Sequence, residues 1–118
     1  PQEITVEVER ALYQIRQLGI PILNQAVLLK GVNDCAETLA KLCTRLVSLQ
    51  VFPYYLHHTD FAAGNVAFRV SLERGFTIYQ QLRRRVSGIA LPKYVIDPPD
   101  GSGKIEVETY MRKQHGTS

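Results

Sequence analysis

The sequence predicts an α/β fold of alternating helices and parallel strands. Apolar residues recur every three to four positions in three segments, short β-branched or aromatic runs stand between them, and Gly, Asp or Ser marks the boundaries. Strands separated by helices pair in parallel through right-handed crossovers. Three such strands do not close a barrel, which needs roughly 250 residues. The chain is therefore a small open α/β layer or the last part of a larger barrel, and its opening at Pro1 without a Met favours the second.

The first two elements are predicted as a helix and a buried strand. Thr5 can cap the helix, and Gly19 ends it where a left-handed residue is needed. The helix carries one apolar stripe, formed by Val8, Leu12, Ile15 and Leu18. The nearly continuous apolar segment 21–29 then predicts a buried strand that ends at Gly31.

The second helix and the second strand follow the same signals. Asp34 and Glu37 form an Asp-x-x-Glu cap signature at the start of the helix. Its apolar face comprises Leu39, Leu42, Cys43, Leu46 and Val47. Segment 51–58 is aromatic and β-branched at its start, which predicts a strand, and residues 59–70 form a loop.

The third helix begins at the cap Ser71 and is apolar on one side, at Leu72, Phe76, Tyr79, Leu82 and Val86. Gly75 inside it should weaken the helix by about 1 kcal/mol. Segment 93–97 is a last short strand, and segment 105–110 is a strand or an extended tail.

Composition limits the classes of function. The chain has 118 residues, 45% of them apolar and 21% charged, which is typical of one small globular domain. Its net charge of +3 comes largely from segments 82–86 and 111–113, which are predicted to be a solvated helix face and a tail rather than a nucleic-acid surface. No segment is long and apolar enough to predict a membrane span, and no segment is predicted to be a signal peptide.

The two cysteines predict neither a disulfide nor a metal site. On one helix, Cys35 and Cys43 would lie about 12 Å apart along the axis, too far for a disulfide. No spacing such as CxxC or HxxxH is present, so no metal site is expected. Both residues are interpreted as structural core cysteines in a reducing compartment, which predicts a cytoplasmic protein.

Polar residues follow two of the predicted strands, where sites collect in parallel α/β folds. Asp60 comes after strand 51–58 and Asp97 ends strand 93–97. Two carboxylates on one rim can clamp an ammonium group. The alternative is that both are cap or turn residues, and spacing alone favours it.

Three further candidates lie within the strands. Asn24 and Gln25 interrupt an apolar run and could reach the same rim, although hydrogen bonds to the backbone would equally satisfy them. His57 and its neighbour His58 point to opposite faces of a strand, so at most one of them can face a site.

The loop "DPPDGSGKI" at 97–105 ends in Lys104. It is not a Walker A loop, because Pro98 stands where Gly is required and Ile105 where Ser or Thr is required. Glu106 replaces the third Gly of a dinucleotide fingerprint. Lys104 is therefore a covalent cofactor anchor, which needs room to swing, or a solvated loop lysine, which the loop alone favours.

Four stretches together resemble the C-terminal part of the lysine 2,3-aminomutase family: "LNQAVLLKGVND", "FPYYLHHTD", "FRVSLERGFTIYQQLRRRVSG" and "LPKYVIDPPDGSGKI". The resemblance runs from about residue 2 to about residue 108. It implies that segment 1–108 belongs to a partial (β/α) barrel of the radical S-adenosylmethionine type, followed by a tail at 109–118. It also implies a cytoplasmic homo-oligomer that interconverts L-lysine and L-β-lysine, with pyridoxal phosphate, S-adenosylmethionine and a [4Fe–4S] cluster as cofactors.

The resemblance assigns a role to each candidate residue. Lys104 matches the lysine that holds pyridoxal phosphate as an imine, and His57 lies at a position near the pyridoxal ring that is often Tyr. Asn24 and Gln25 match a polar pair near the S-adenosylmethionine. The substrate's side-chain ammonium would be bound by Asp60 and Asp97.

Other readings stay open beside this one. Two carboxylates would repel a glutamate side chain, and a relative that modifies a lysine on a protein lacks the aspartate found at position 97. Asp100 adds a negative charge to a turn that is richer in Gly in the family. The CxxxCxxC cluster motif is absent, so this segment alone should be inactive. A non-catalytic interaction module and a nucleic-acid binder that uses segment 83–85 are the alternatives from other classes.

Overall fold

The computed structural model describes residues 5–58, 69–98 and 101–114 of the chain. Helices and strands alternate along it. The helices are α1 (Val6–Gln17), α2 (Ala36–Ser48), α3 (Leu72–Arg85) and α4 (Val107–Gln114). The strands are β1 (Ile22–Val27), β2 (Val51–His58), β3 (Lys93–Ile96) and β4 (Ile105–Glu106), and a short 3₁₀ turn at Gly88–Ala90 precedes β3.

The described strands form one sheet in the order β1-β2-β3-β4. The first three strands pair in parallel, and the two-residue β4 pairs antiparallel with β3. The predicted α/β fold with parallel strands is confirmed. Because neighbouring parallel strands end at the same edge of a sheet, the carboxyl ends of β1, β2 and β3 lie together.

The hydrophobic core lies between the sheet and the helices α2, α3 and α4. Its fully or almost fully buried side chains include Leu28, Leu39, Leu56, Ile78, Leu82, Ile96 and Val107. Leu56 and His58 of β2 point into this core, while Tyr55 and His57 are only partly buried, as the two-residue period of a strand requires. The prediction that His57 and His58 lie on opposite faces is confirmed.

Gly75 of α3 lies directly over a buried hydrogen bond between His58 and Tyr94. The His58 Nδ1 atom is 2.7 Å from the Tyr94 hydroxyl. A Cβ atom at position 75 would lie 2.0 Å from that hydroxyl oxygen and 3.3 Å from His58 Nδ1. Helix propensity predicts only that Gly75 weakens the helix, but the packing of α3 on β3 requires a residue without a Cβ atom here.

Helix α1 is largely exposed, and strand β1 is less buried than predicted. The helix has no buried residue; Val8 within it is 44% exposed and Leu18, its C-cap, is 75% exposed. An ion pair between Glu9 and Arg45 and a 3.2 Å hydrogen bond from Arg16 to the Leu49 carbonyl hold it to α2. Strand β1 alternates between half-buried and exposed residues because it is an edge of the sheet. The prediction of a buried first strand is therefore wrong.

The cap of α2 also differs from the prediction. Cys35, not Asp34, lies at the N-cap position, and it is exposed rather than in the core. The Asp34 carboxylate instead accepts a 3.0 Å hydrogen bond from the Gly31 N–H. Asn33 stabilises the same turn, since it accepts from the Leu29 N–H and donates to the Val27 carbonyl, each at 2.8 Å.

The segment predicted as a strand or an extended tail is a strand for two residues only. After Glu106 the chain enters α4, whose first residue Val107 is completely buried. Burial of Val107 against the core fixes the start of this helix, which continues through residues 109–114 of the predicted tail. No helix within the described residues is long and apolar enough to cross a membrane.

Candidate functional site

A polar cluster lies on the face of the sheet that is turned away from the core. The side chains of Gln25 on β1 and His57 on β2 meet there, with 2.9 Å between Gln25 Oε1 and His57 Nε2. The register brings this about, because Gln25 pairs with Tyr55 and Val27 pairs with His57. The pairing shifts by one residue between Asn24 and Gln25, so Tyr54 bulges from β2.

Tyr55 forms an aromatic surface beside the imidazole of His57. The two ring centroids are 5.6 Å apart in an edge-on arrangement. The Tyr54 ring also packs against the Tyr55 ring, with 4.4 Å between their centroids. The Lys104 Nζ atom lies 5.7 Å from the centroid of the Tyr55 ring, within the range of a cation–π interaction. Tyr55 therefore links the lysine of the Gly-rich loop to strand β2.

The charges of Lys104 and Asp97 both act on His57. Partial burial lowers the pKa of the imidazole, the positive charge of Lys104 lowers it further, and the negative charge of Asp97 raises it. The cluster thus unites residues from four separate segments: Gln25 of β1, His57 of β2, Asp97 after β3 and Lys104 before β4. Four of the six residues singled out from the sequence lie in it.

Two glycines determine the backbone conformation of the loop that carries Lys104. Gly101 and Gly103 have φ values of 76° and 93°, a left-handed conformation that residues with a Cβ rarely adopt. The Gly101 N–H donates a 3.3 Å hydrogen bond to the Pro98 carbonyl, which closes the turn. Lys104 follows directly and is exposed. Its amine is therefore accessible, as a covalent anchor requires.

Asn24 lies outside the cluster that contains Gln25. The two residues are consecutive on a strand, so their side chains lie on opposite faces. Asn24 is half-buried and lines, with Gln25 and the other residues of β1, a groove of about 690 Å³. The other walls of the groove are mainly apolar residues of α1 and α2, with the polar Asn33 and Thr38 among them. Asp60 and Asp100 lie outside the described residues.

Tyr55 is the member of the cluster that the sequence analysis missed. A signal for it was present, because Tyr55 and His57 are two residues apart on a predicted strand and must therefore share a face. Its contact with Lys104 depends on how a loop near the end of the chain folds back onto β2, which strand periodicity does not reveal.

The donor set of this cluster suits an aldehyde cofactor better than a metal ion. Lys104 supplies an accessible primary amine, the group that joins the aldehyde of pyridoxal phosphate, and Tyr55 offers an aromatic face beside it. Within the ranges 5–58, 69–98 and 101–114, no group of three or more His, Cys, Asp or Glu side chains could hold a metal ion.

The sequence is similar to curated aminomutases over most of its length. It is 47% identical over 107 residues to the L-lysine 2,3-aminomutase of Methanococcus maripaludis, an alignment that covers 91% of this chain and 25% of that protein. For the L-lysine 2,3-aminomutase of Clostridium subterminale the identity is 41%, with coverages of 91% and 26%. The glutamate 2,3-aminomutase of Clostridioides difficile is 36% identical, with coverages of 88% and 25%. The chain thus spans about a quarter of the length of these relatives.

A solved structure has a similar fold. A solved radical SAM methyltransferase from Sphaerobacter thermophilus superposes with a TM-score of 0.55 and 23% identity, over 78% of this chain and 26% of that one. At this level of identity the similarity concerns the fold alone. No protein-family model matches the sequence.

Proposed function

Because the chain belongs to the lysine 2,3-aminomutase family, we propose that it is the part of such an enzyme that anchors pyridoxal phosphate and binds the far end of the substrate. The position of Lys104 carries this proposal. Its exposed amine lies over the Tyr55 ring in the middle of β2, and its charge, like that of Asp97, acts on His57. The proposed product is L-β-lysine, formed from L-lysine by migration of the amino group from C2 to C3.

Each residue of the cluster has a definite task in this proposal. Lys104 bonds covalently to the cofactor and exchanges it for the substrate's α-amine. His57 and Tyr55 pack beside the cofactor ring. Asp97, together with Asp60, binds the side-chain ammonium and so fixes the distance from that end of the substrate to the reacting carbons. Pyridoxal phosphate supplies the electronic pathway for the migration, and the protein positions it.

The remaining requirements are assigned to the rest of a full-length protein. The relatives are three to four times as long as this chain, so the proposed enzyme also contains the [4Fe–4S] cluster and the larger part of the S-adenosylmethionine site outside this segment. Gln25, and Asn24 on the edge strand, would contribute to the S-adenosylmethionine side. In this proposal β1 to β3 are strands of a partial barrel formed by residues 1–108, and the whole assembles as a cytoplasmic homo-oligomer.

Lysine is preferred to glutamate as the substrate on electrostatic grounds. Asp97 is exposed at the end of β3 and its charge acts within the cluster, where a side-chain ammonium would be attracted and a carboxylate repelled. Glutamate remains the second candidate, because one of the relatives acts on it. Turnover of lysine and of glutamate by the full-length protein separates the two, and an Asp97→Asn substitution should raise the KM for lysine much more than it changes stability.

Reduction of the cofactor adduct tests the anchor directly. The chain is incubated with pyridoxal phosphate and sodium borohydride, digested and analysed by mass spectrometry. The modification should map to Lys104 and vanish in Lys104→Ala, while Lys113→Ala on the exposed end of α4 should keep it. Labelling spread over several lysines, or unchanged labelling in Lys104→Ala, would refute the anchor role.

A further inference from the structure

We propose that His57, held by Gln25, is the group that carries the proton to and from Lys104 when the lysine joins and leaves its cofactor. This inference rests on the proposed function of Lys104. The observation behind it is the 2.9 Å contact between Gln25 Oε1 and His57 Nε2 on the same face of the sheet as Lys104.

The hydrogen bond selects one form of the imidazole. An amide oxygen only accepts, so the Nε2 atom of His57 must carry the hydrogen, and in a neutral ring Nδ1 is then left with a lone pair. The neutral ring is the form that the surroundings favour, since partial burial and the charge of Lys104 both lower the pKa of His57. Gln25 is thus a positioning residue that leaves Nδ1 ready to accept a proton.

The cluster also provides the proton to be moved. A primary amine is protonated at neutral pH and attacks an aldehyde only after it has lost that proton. Among the described residues, Lys104 and Asp97 are the charged groups that act on His57, and Tyr55 packs against it at a centroid distance of 5.6 Å. His57 is the group of this set with an ordinary pKa near neutrality, as a proton carrier requires.

Each proton that Lys104 loses when it joins the aldehyde has a defined acceptor. The Lys104 ammonium gives one proton to His57 Nδ1, and the freed lone pair on Nζ forms a C–N bond with the aldehyde carbon. The aldehyde oxygen leaves as water, which takes one proton from Nζ and one from the His57 imidazolium. The third hydrogen stays on Nζ, so the product is a protonated C=N group. His57 returns to its neutral form. Release of the cofactor runs through the same transfers in reverse.

The tautomer of His57 is the first measurement. Two-dimensional ¹⁵N spectra of the chain at pH 8 should show a hydrogen on Nε2 and none on Nδ1. In Gln25→Leu the two tautomers should become mixed, whereas Gln81→Leu, an exposed residue of α3, should leave the spectrum unchanged. A hydrogen on Nδ1 in the unaltered chain, or the same spectrum in Gln25→Leu, overturns the proposal.

The pH dependence of adduct formation is the second measurement. With pyridoxal phosphate as the probe, His57→Phe should slow formation at pH 7 about a hundredfold and Gln25→Leu about tenfold. Above about pH 10, where primary amines lose their proton without help, the rates of all variants should converge. A decrease in rate that is equal at every pH, or no decrease at all, contradicts proton transfer by His57. If the unaltered chain forms no adduct at Lys104, the proposed function itself fails. If the adduct forms normally and His57→Phe leaves its pH profile unchanged, only the proposal for His57 fails.

Discussion

The ammonium nitrogen of Lys104 lies 5.7 Å from the centroid of the Tyr55 ring, which places the Gly-rich loop against the middle of β2. The loop glycines give the backbone its shape, but this contact gives the lysine its direction. Tyr55 is also in contact with His57, so one ring connects the amine with the only histidine that is partly exposed in the described strands.

Loss of the Tyr55 ring should weaken binding of pyridoxal phosphate by the chain. A cation–π contact at an exposed site contributes about 0.5–1 kcal/mol, so Tyr55→Leu should raise the dissociation constant of the Lys104 adduct about two- to fivefold. Tyr55→Phe should bind like the unaltered chain because it keeps the ring. Absorbance titration measures both, with Tyr13→Leu on the exposed side of α1 as the control. Equal binding by the Leu and Phe variants would show that the ring does not orient Lys104.

Opposite changes in the pKa of His57 should follow from removal of its two charged neighbours. Lys104→Met removes a positive charge that lowers the pKa, so the pKa should rise. Asp97→Asn removes a negative charge that raises the pKa, so the pKa should fall. An NMR titration of the His57 ring resolves both directions. If neither substitution moves the pKa, Lys104 and Asp97 do not lie beside His57 in solution, and the cluster is not formed.

The same histidine should make the fold less stable in mild acid. Its pKa is below the ordinary value in the folded chain, so the unfolded chain, with a pKa of about 6.5, binds the proton more tightly. The contribution to stability is therefore complete above about pH 6.5 and is lost as the pH falls through the lowered pKa. Urea unfolding between pH 8 and pH 5 should show a smaller decrease for His57→Phe than for the unaltered chain, and an equal decrease would contradict this.

The two cysteines should differ sharply in reactivity. Cys35 is exposed at the start of α2, where the backbone N–H groups of Thr38 and Glu37 lower its pKa. Burial raises the pKa of Cys43 to about 11. At pH 8 a disulfide reagent should therefore label one thiol of the native chain quickly and the second only in denaturant. Cys35→Ser should abolish the fast phase, and a fast phase that survives would place the reactive thiol in the core.

The site was more predictable from the sequence than the surroundings of α1 and β1. Asp97 and His57 lie where the ends of parallel strands must lie, and Lys104 follows glycines that fix its loop. The resemblance to a family, not the spacing, singled out Lys104 as an anchor. Roles for all of these residues, and for Asp60 outside the described part of the chain, remain predictions.

The errors of sequence interpretation share one physical cause, which is that local patterns do not state what covers a surface. The apolar run of β1 looked like a strand buried on both faces, but the sheet ends there and Leu23 is 54% exposed. The Asp-x-x-Glu pattern predicted a helix cap, but the Asp34 carboxylate accepts its hydrogen bond from the Gly31 N–H instead. Segment 105–110 was predicted as a strand or an extended tail, but a helix begins at Val107, where this side chain is buried in the core.

Gly75 should be replaceable by alanine only when the Tyr94 hydroxyl is removed as well. In an ordinary helix the change would stabilise by about 1 kcal/mol, but here the new Cβ would lie 2.0 Å from the hydroxyl oxygen. Forcing such a contact costs typically 1–3 kcal/mol, so Gly75→Ala should lower the free energy of unfolding.

Tyr94→Phe alone should cost about 1–2 kcal/mol through loss of the 2.7 Å hydrogen bond to His58. In the double variant the 2.0 Å contact is gone and the closest remaining contact, to the ring carbon Cζ of residue 94, is 3.1 Å. Urea unfolding should therefore show a total loss smaller than the sum of the two single losses. Strict additivity would mean that α3 shifts to accommodate the methyl group and that Tyr94 does not dictate the glycine.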